Sequence, residues 1–446
     1  MKTRRRTKTI IKIILFLLVF NFIEIANTLS DRSSVEKVFP FEQNEPISHR
    51  LNNNLSGYES MQELDSMVRS FMDRWDIVGA SVAIAKEEKL IYAKGFGFAD
   101  KEQLIPVQPR HLFRIASVSK LITATAVMKM QENGELSLED KVFGPEGILK
   151  DSLFPKVRDE RIHDITVQNL LEHSSGWTNR QGDPMFMQHH IARKLNRELP
   201  LSLDDIMDYM VGYRKLDYAP GKNLDYSNFG YALLGKIIEE KSGISYEDYV
   251  VSNILNPLGI YDMHLGYSLE KDRFPNEVKY YGLAGERKVL SSTGDGTKVP
   301  KYYGGNYIET LGAAGGWVAS PAELMKLMVA LDGLPGKENV LSDESLQNMV
   351  SNRNFQAPFG WTGTTSNGMY WRTGTLSGTS ALMVKQNNDI SWVMLINTTP
   401  RYGARFPVQI NRTMIRGLLS VDHWPDYDLF DYYEPRRLND FLLADR

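Results

Sequence analysis

The chain has 446 residues and contains no cysteine, which excludes disulfides, thiolate nucleophiles and cysteine-bound zinc. Hydrophobic residues make up 42% of the sequence, enough for a sizeable core. The formal net charge of -3, without a long basic or acidic run, gives no indication of a nucleic-acid partner.

The N-terminus combines a basic stretch with a short apolar run. Lysine and arginine residues between Lys2 and Lys12 precede the apolar residues 13–20, an arrangement typical of a secretory signal. The run is shorter than the roughly 20 residues that span a bilayer. We therefore expect residues 1–30 to be a signal peptide cleaved after Ser30, or else a retained membrane anchor. Either way the protein would be exported, to the periplasm or the cell exterior, or tethered to a membrane.

The next segments alternate between polar and periodic patterns. Residues 31–58 are polar with scattered proline, which predicts a linker. Apolar spacing over 60–75 predicts a helix, and the runs 80–85 and 90–94 predict two strands. An apolar helix is predicted from Ser117 to about Gln131, before the helix-ending pair Asn133 and Gly134.

The middle of the chain has mostly helical patterns, and strand patterns return near the end. Helices are predicted over 167–172, 203–211, 231–242 and 246–254, then a glycine-rich loop over 291–305. A helix over 321–332 follows the N-cap Ser320. Strands are predicted over 379–385 and 391–397, and a helix over 408–419.

Strands at both chain ends around a helical middle predict an α+β fold. The expected architecture is an antiparallel β-sheet flanked by helices, with an inserted, mostly helical subdomain at about 110–310. The domain would span 59–420. The acidic and aromatic extension 421–446 is expected to fold back on it.

Ser117 and Lys120 form a Ser-x-x-Lys sequence at the start of an apolar helix. Side chains at i and i+3 share a helix face, so the amine can lie beside the hydroxyl. An adjacent base activates a serine hydroxyl, which is otherwise a weak nucleophile. The pattern alone is weak evidence, because Ser34–Lys37 and Ser268–Lys271 match it without an apolar helix behind them.

Two further motifs strengthen the case for Ser117. Tyr226 and Asn228 form a Tyr-x-Asn sequence, and Arg372, Thr373 and Gly374 form a basic residue followed by Thr-Gly. With this motif order the chain resembles the serine β-lactamase and penicillin-binding-protein superfamily. It is most similar to the branch of class C β-lactamases, DD-peptidases and family VIII esterases. The resemblance runs from about residue 64 to about residue 419 and implies the same architecture, with the active site between sheet and helices.

The resemblance implies roles for the motif residues. Ser117 would be the nucleophile of an acyl-enzyme, and the backbone N–H groups of Ser117 and Thr375 would bind the oxyanion. Asn228 would hold the Lys120 amine and the substrate amide. Either Lys120 or Tyr226 can be the general base, and the sequence does not decide between them.

Arg372 departs from the family pattern, which usually has lysine or histidine at this position. An arginine stays protonated, so it clamps a carboxylate but does not relay a proton. We therefore expect substrate anchoring by Arg372, with Thr373 and Gly374 beside it, where the small Gly374 lets the substrate approach the strand. The alternative is a surface arginine packed on Trp371. Efficient β-lactam hydrolysis is then in doubt, while peptide or ester substrates with an acidic group remain open.

The sequence leaves the substrate open. A serine hydrolase of this kind acts on a β-lactam, a D-amino-acid peptide or a small ester. The alternative is a non-catalytic binder or sensor of cell-wall peptide. His173 is interpreted as an exposed or capping residue rather than a catalytic one. No metal or other cofactor is expected, since His189 and His190 lack ligand spacing and no His-Glu-x-x-His occurs.

Overall fold

The structure is a computed structural model, and it describes residues 45–150, 152, 154–351 and 357–432. The predicted signal or anchor at 1–30, residues 31–44 of the predicted linker and the end of the extension from 433 lie outside the described residues. Within the described part of the chain, no helix combines the length and the apolar character needed to cross a membrane.

Strands from both ends of the chain form one antiparallel sheet. The strands of the described chain are β1 (Gly79–Lys86), β2 (Lys89–Asp100), β3 (Ile105–Pro106), β4 (Phe113–Arg114), β5 (His264–Leu265), β6 (Val289–Leu290), β7 (Lys298–Val299), β8 (Trp317–Ala319), β9 (Gly363–Thr364), β10 (Tyr370–Leu376), β11 (Thr379–Lys385) and β12 (Ile390–Ile396). The seven-stranded sheet has the order β3-β2-β1-β12-β11-β10-β9. Ala83 at its centre pairs with Ala93 of β2 and with Val393 of β12.

Helices lie before, between and after these strands. They are α1 (Ile47–Arg50), α2 (Gln62–Trp75), α3 (Ser119–Glu132), α4 (Val167–Leu171), α5 (Gln188–Leu195), α6 (Leu203–Tyr213), α7 (Asn228–Ser242), α8 (Tyr246–Val250), α9 (Ile308–Gly315), α10 (Pro321–Val329), α11 (Asp343–Val350) and α12 (Pro407–Leu419). The predicted N-cap Ser320 accepts a hydrogen bond from the Glu323 N–H at the start of α10. The α+β prediction, with an antiparallel sheet and helices, is confirmed.

The sheet separates two hydrophobic cores, because successive side chains of a strand point to opposite faces. Val82 and Ile84 of β1 lie in the core that α2 and α12 cover. Ala83 and Ala85 lie in the larger core, which also contains α3, α7 and α10. The helical middle of the chain therefore packs on one face of the sheet, and the site described below lies on that side.

The predicted linker of 31–58 is wrong for residues 45–58, which belong to the folded body. Ile47 and Leu51 are buried in the larger core. Asn53 donates a side-chain hydrogen bond to the Val107 carbonyl and accepts one from the Gly95 N–H, so this segment is joined to the sheet. The apolar residues of this segment, Ile47, Leu51 and Leu55, stand among asparagine, proline and other polar residues, which is why the sequence indicated a linker.

The first part of the C-terminal extension also packs on the domain. The Tyr427 hydroxyl donates to the Ile91 carbonyl, the Asp428 carboxylate accepts from the Leu90 N–H, and Phe430 is buried. Between β5 and β8, strands β6 and β7 form a small hairpin, whose turn and second strand lie in the predicted glycine-rich loop.

Candidate active site

Ser117 lies in a turn of 3-10 helix, Ala116–Val118, that leads directly into α3. Ala116 has a φ of 48°, a left-handed conformation that is uncommon for a residue with a Cβ. Such local strain clusters at functional sites, where the surrounding structure holds it in place. The positive end of the helix dipole of α3 lies beside this turn.

Strand β10 passes this turn so closely that only glycine fits at residue 374. A Cβ on Gly374 would lie 2.1 Å from the Ile115 carbonyl oxygen and 3.0 Å from the Ser117 nitrogen. We expected Gly374 to let the substrate approach the strand. The structure instead shows that its small size lets the strand approach the Ser117 turn.

Two side chains from different elements converge on the Ser117 hydroxyl. The Tyr226 hydroxyl oxygen, just before α7, lies 2.7 Å from Ser117 Oγ. The Lys120 Nζ, one turn along α3, lies 3.3 Å from the same atom. The two candidate bases that the sequence left open are thus both within hydrogen-bonding distance of the candidate nucleophile.

The Lys120 amine is fully buried and has two further partners. Its Nζ donates to Asn228 Oδ1 at 2.6 Å and to the Ala314 carbonyl of α9 at 2.5 Å. A neutral amine carries two N–H bonds and one lone pair. With both N–H bonds directed at these oxygens, the lone pair is left for the Ser117 hydroxyl proton.

Burial and charge shift the acid–base properties of both candidate bases. Burial lowers the pKa of Lys120 to about 8, a shift that Tyr226 opposes and Arg372 reinforces. Burial alone would raise the pKa of Tyr226, but the positive charges of Lys120 and Arg372 outweigh it and lower this pKa to about 8. Because the two groups interact, they titrate as a pair.

Arg372 is a buried structural cation, so the alternative of a surface arginine packed on Trp371 is wrong. The side chain is 2% exposed. Its Nε donates to the Ser117 carbonyl at 2.7 Å and its Nη2 to the Tyr226 hydroxyl at 3.3 Å. Two of its five N–H donors therefore contact protein oxygens, and Arg372 also lines the cleft, so the expected carboxylate clamp stays a prediction.

His173 is buried rather than exposed. Its Nδ1 accepts a hydrogen bond from the Ser227 N–H, next to the start of α7, and its ring packs on Tyr226 with centroids 4.6 Å apart. Burial lowers its pKa well below the usual value, with Lys120 and Arg372 acting in the same direction. The ring is therefore neutral and supports the Tyr226 segment.

Sequence reasoning missed two groups that hold Lys120 and Asn228 in place. One is the Ala314 carbonyl, a backbone atom that no side-chain motif can indicate. The other is Asp183, whose carboxylate accepts a hydrogen bond from Asn228 Nδ2 at 2.6 Å. Its only local signal is the Gly182-Asp183-Pro184 sequence, which predicts a turn and no chemistry.

Ser117 opens into a cleft of about 530 Å³ between the sheet and the helices. Thr373 and Thr375 of β10 line it together with Tyr226 and Asn228. Its other walls are largely apolar, from Phe186, Leu224, Leu311, Trp361 and Leu376. No group of acidic and histidine side chains among the described residues has the arrangement of a metal site.

Comparison with protein families identifies the class. The family model described as Beta-lactamase matches residues 64–410. Since this match covers more than half of the chain, the protein belongs to the beta-lactamase family, whose wider superfamily includes the penicillin-binding proteins. The resemblance inferred from the three motifs is confirmed.

Individual relatives are more distant. Protein flp of Staphylococcus aureus (strain MRSA252) is 26% identical over 365 residues, 80% of this chain and 67% of that protein. The solved octameric penicillin-binding protein homologue from Pyrococcus abyssi has a TM-score of 0.58 at 25% identity, covering 79% of this chain and 77% of that one. The D-amino acid amidase from Ochrobactrum anthropi SV3, complexed with L-phenylalanine amide, has a TM-score of 0.62 at 21% identity, covering 82% and 99%.

The close approach at Gly374 predicts the effect of a single methyl group. In Gly374→Ala the added Cβ must displace the Ile115 carbonyl, so we expect a loss of about 1–3 kcal/mol of stability and a strong loss of Ser117 reactivity. Urea unfolding and the rate of labelling by a fluorophosphonate measure the two effects. Gly212→Ala is the matched control, because its nearest neighbour atom lies 3.4 Å away on a flexible lysine. Wild-type reactivity in Gly374→Ala would contradict the packing argument.

The position of Arg372 predicts a change in pH dependence. Arg372 lowers the pKa of both Lys120 and Tyr226, so Arg372→Met should raise both and move the rising limb of kcat/KM to higher pH. Activity at pH 7 should fall roughly three- to tenfold more than at pH 9.5. The pH profile with a p-nitrophenyl ester measures this shift. Arg372→Lys keeps the positive charge and should shift the limb less; equal shifts in the two variants would refute an electrostatic role.

Proposed function

We propose that this protein is a serine hydrolase that forms an acyl-enzyme at Ser117. The convergence of Tyr226 and Lys120 on the Ser117 hydroxyl carries this proposal, because a binding protein has no need of a hydroxyl with two tuned bases. The family includes hydrolases, and the amidase above uses the same fold, which supports hydrolysis as the general activity.

The proposed reaction has two steps. Ser117 Oγ attacks the carbonyl carbon of the substrate while its proton passes to Lys120 or to the Tyr226 oxygen. The same group returns a proton to the leaving group as the carbon–heteroatom bond breaks. A water molecule then attacks the ester on Ser117 and releases the acid. The N–H groups of Ser117 and Thr375 remain our proposal for the oxyanion donors.

We further propose that the substrate is a neutral ester or amide, ahead of a β-lactam with its carboxylate or a peptide with an acidic group. Among the described residues that line the cleft, Arg372 is the only lysine or arginine; it is 2% exposed, and two of its N–H donors contact protein oxygens. Lys120 lies fully buried behind the serine. A carboxylate in this cleft would lose water and gain only one buried cation that is already partly engaged, so its desolvation would be poorly offset. The apolar walls favour a hydrophobic acyl or leaving group.

Export stays a proposal that rests on the N-terminal sequence. A basic stretch followed by an apolar run supports passage through a membrane with residues 1–30 cleaved, or a tether if they are kept. Intact mass of the protein recovered from a secreting host would distinguish a cleaved from a retained N-terminus.

A covalent adduct on Ser117 can be trapped and detected by intact-mass measurement. We expect a fluorophosphonate or a slowly hydrolysed ester to add one equivalent of mass to the wild-type protein and none to Ser117→Ala. Hydrolysis of p-nitrophenyl butyrate should fall by at least about 1,000-fold in that variant. Ser366→Ala is the control, because Ser366 is exposed in a turn and does not line the cleft. Undiminished turnover in Ser117→Ala would refute the proposal, and a labelled but inactive protein would favour the binder.

A matched pair of esters tests the charge of the substrate. p-Nitrophenyl butyrate and p-nitrophenyl succinate share a leaving group and an acyl length, and only the succinate carries a carboxylate. We expect kcat/KM at least about tenfold higher for the butyrate, because the one cation that lines the cleft, Arg372, is 2% exposed and already contacts two protein oxygens. Leu224→Lys adds a cation at the cleft, where residue 224 is 42% exposed. It should reduce the difference in kcat/KM between the butyrate and the succinate.

Ile244→Lys is the matched control for this experiment. Ile244 is similarly exposed but does not line the cleft, so its replacement should leave the butyrate-to-succinate ratio unchanged. If the wild-type protein hydrolyses the succinate as well as the butyrate, the proposed preference for a neutral substrate is wrong.

A further inference from the structure

Asp183 is the one carboxylate that hydrogen-bonds to a motif residue of this site within the described part of the chain. It lies at the N-cap of a 3-10 turn, Pro184–Phe186, and its Oδ1 accepts the Met185 N–H at 3.0 Å. Pro184 and Met185 are buried, so the turn is anchored in the body. The other oxygen, Oδ2, accepts Asn228 Nδ2 at 2.6 Å across 45 residues of sequence.

This contact determines which way the Asn228 amide points. An asparagine amide can present either its oxygen or its nitrogen to a neighbour. If the amide were reversed, its oxygen would face the Asp183 carboxylate and its NH₂ group would face the Lys120 amine. The first contact would then bring two hydrogen-bond acceptors together, and the second would bring two donors together. In the observed orientation, both are hydrogen bonds.

We propose that Asp183 is a positioning residue, which holds the Asn228 amide so that its oxygen accepts from Lys120. The inference rests on the proposed function and deepens it. With Asn228 Oδ1 and the Ala314 carbonyl both fixed as acceptors, the Lys120 lone pair is directed at Ser117 Oγ. Asp183 thus acts on the reaction through Asn228 and Lys120, and it does not line the cleft.

The carboxylate also belongs to the charge balance around Lys120. Arg372 and burial lower the pKa of Lys120, while Asp183 and Tyr226 raise it. The neighbouring His173 is held neutral by burial. Replacing Asp183 by a neutral residue therefore lowers the pKa of Lys120, and the rising limb of kcat/KM moves to lower pH. Loss of a negative charge moves the limb in the same direction if Tyr226 is the base.

Three replacements separate positioning from turn stability. Asparagine and serine both cap a turn well, but neither replaces the carboxylate. Asparagine has one oxygen for two donors, the Met185 N–H and Asn228 Nδ2, and serine is too short to reach Asn228. We expect Asp183→Asn, with its oxygen on the Met185 N–H and its NH₂ group facing Asn228 Nδ2, to keep the melting temperature but to lose about tenfold or more in kcat/KM, with the rising limb at lower pH. Asp183→Ser should also keep the melting temperature, yet lose about tenfold or more in kcat/KM. Asp183→Ala should lower both the melting temperature and kcat/KM.

Hydrolysis of p-nitrophenyl butyrate and the fluorophosphonate labelling rate provide two independent readouts. Wild-type kcat/KM in either Asp183→Ser or Asp183→Asn would overturn the inference. So would an unshifted pH limb in Asp183→Asn. Failure of the proposed function looks different, since activity would then survive Ser117→Ala.

A double-mutant cycle tests the contact without any catalysis. The losses in unfolding free energy of Asp183→Ala and Asn228→Ala should be non-additive, because each removes the same hydrogen bond. Additive losses would show that the Asp183–Asn228 contact does not hold the amide, which would also overturn the inference.

Discussion

The arrangement of this site depends on keeping an amine buried beside a serine. Lys120 is fully buried, and an ammonium group in such a place must be paired or must lose its proton. The structure supplies two neutral oxygens, from Asn228 and Ala314, and among the residues it describes no carboxylate is in direct contact with the amine. Those partners satisfy the N–H bonds without holding the charge strongly. Burial then lowers the pKa of the amine into a range where it can take a proton near neutral pH.

Backbone geometry brings the other groups to this amine. Ala116 takes a left-handed conformation immediately before the serine, and the glycine at 374 lets β10 lie against the same turn. The left-handed conformation of Ala116 costs free energy, and the close approach at residue 374 admits only glycine. Both features depend on the sheet and helix α3 being fixed relative to each other. The two cores on either side of the sheet provide that rigidity. Packing far from the cleft therefore determines the geometry at the Ser117 hydroxyl.

The sequence predicted those parts of the molecule whose signals are local. Strand patterns at both ends indicated the sheet, and three short motifs identified Ser117, Lys120, Tyr226 and Asn228 before their proximity was known. Asp183 could not be predicted, because its role arises from a contact across 45 residues of sequence. The glycine and proline on either side of it indicate only a turn. The folded segment 45–58 was missed because its three core-packed apolar residues stand among asparagine, proline and other polar residues, which locally indicate a linker. Backbone partners such as the Ala314 carbonyl carry no residue signature at all.

Arg372 connects the reactivity of the site with its selectivity. A cation beside Lys120 and Tyr226 lowers the pKa of both, and it does so best when it is buried and held in one position. Holding it there directs its donors to the Ser117 carbonyl and the Tyr226 hydroxyl. A guanidinium that is 2% exposed and already bound to two protein oxygens has little to offer a carboxylate in the cleft. Under the proposed function, the same interaction that prepares the nucleophile therefore weakens an anchor for acidic substrates and leaves the apolar walls of the cleft to select the acyl group.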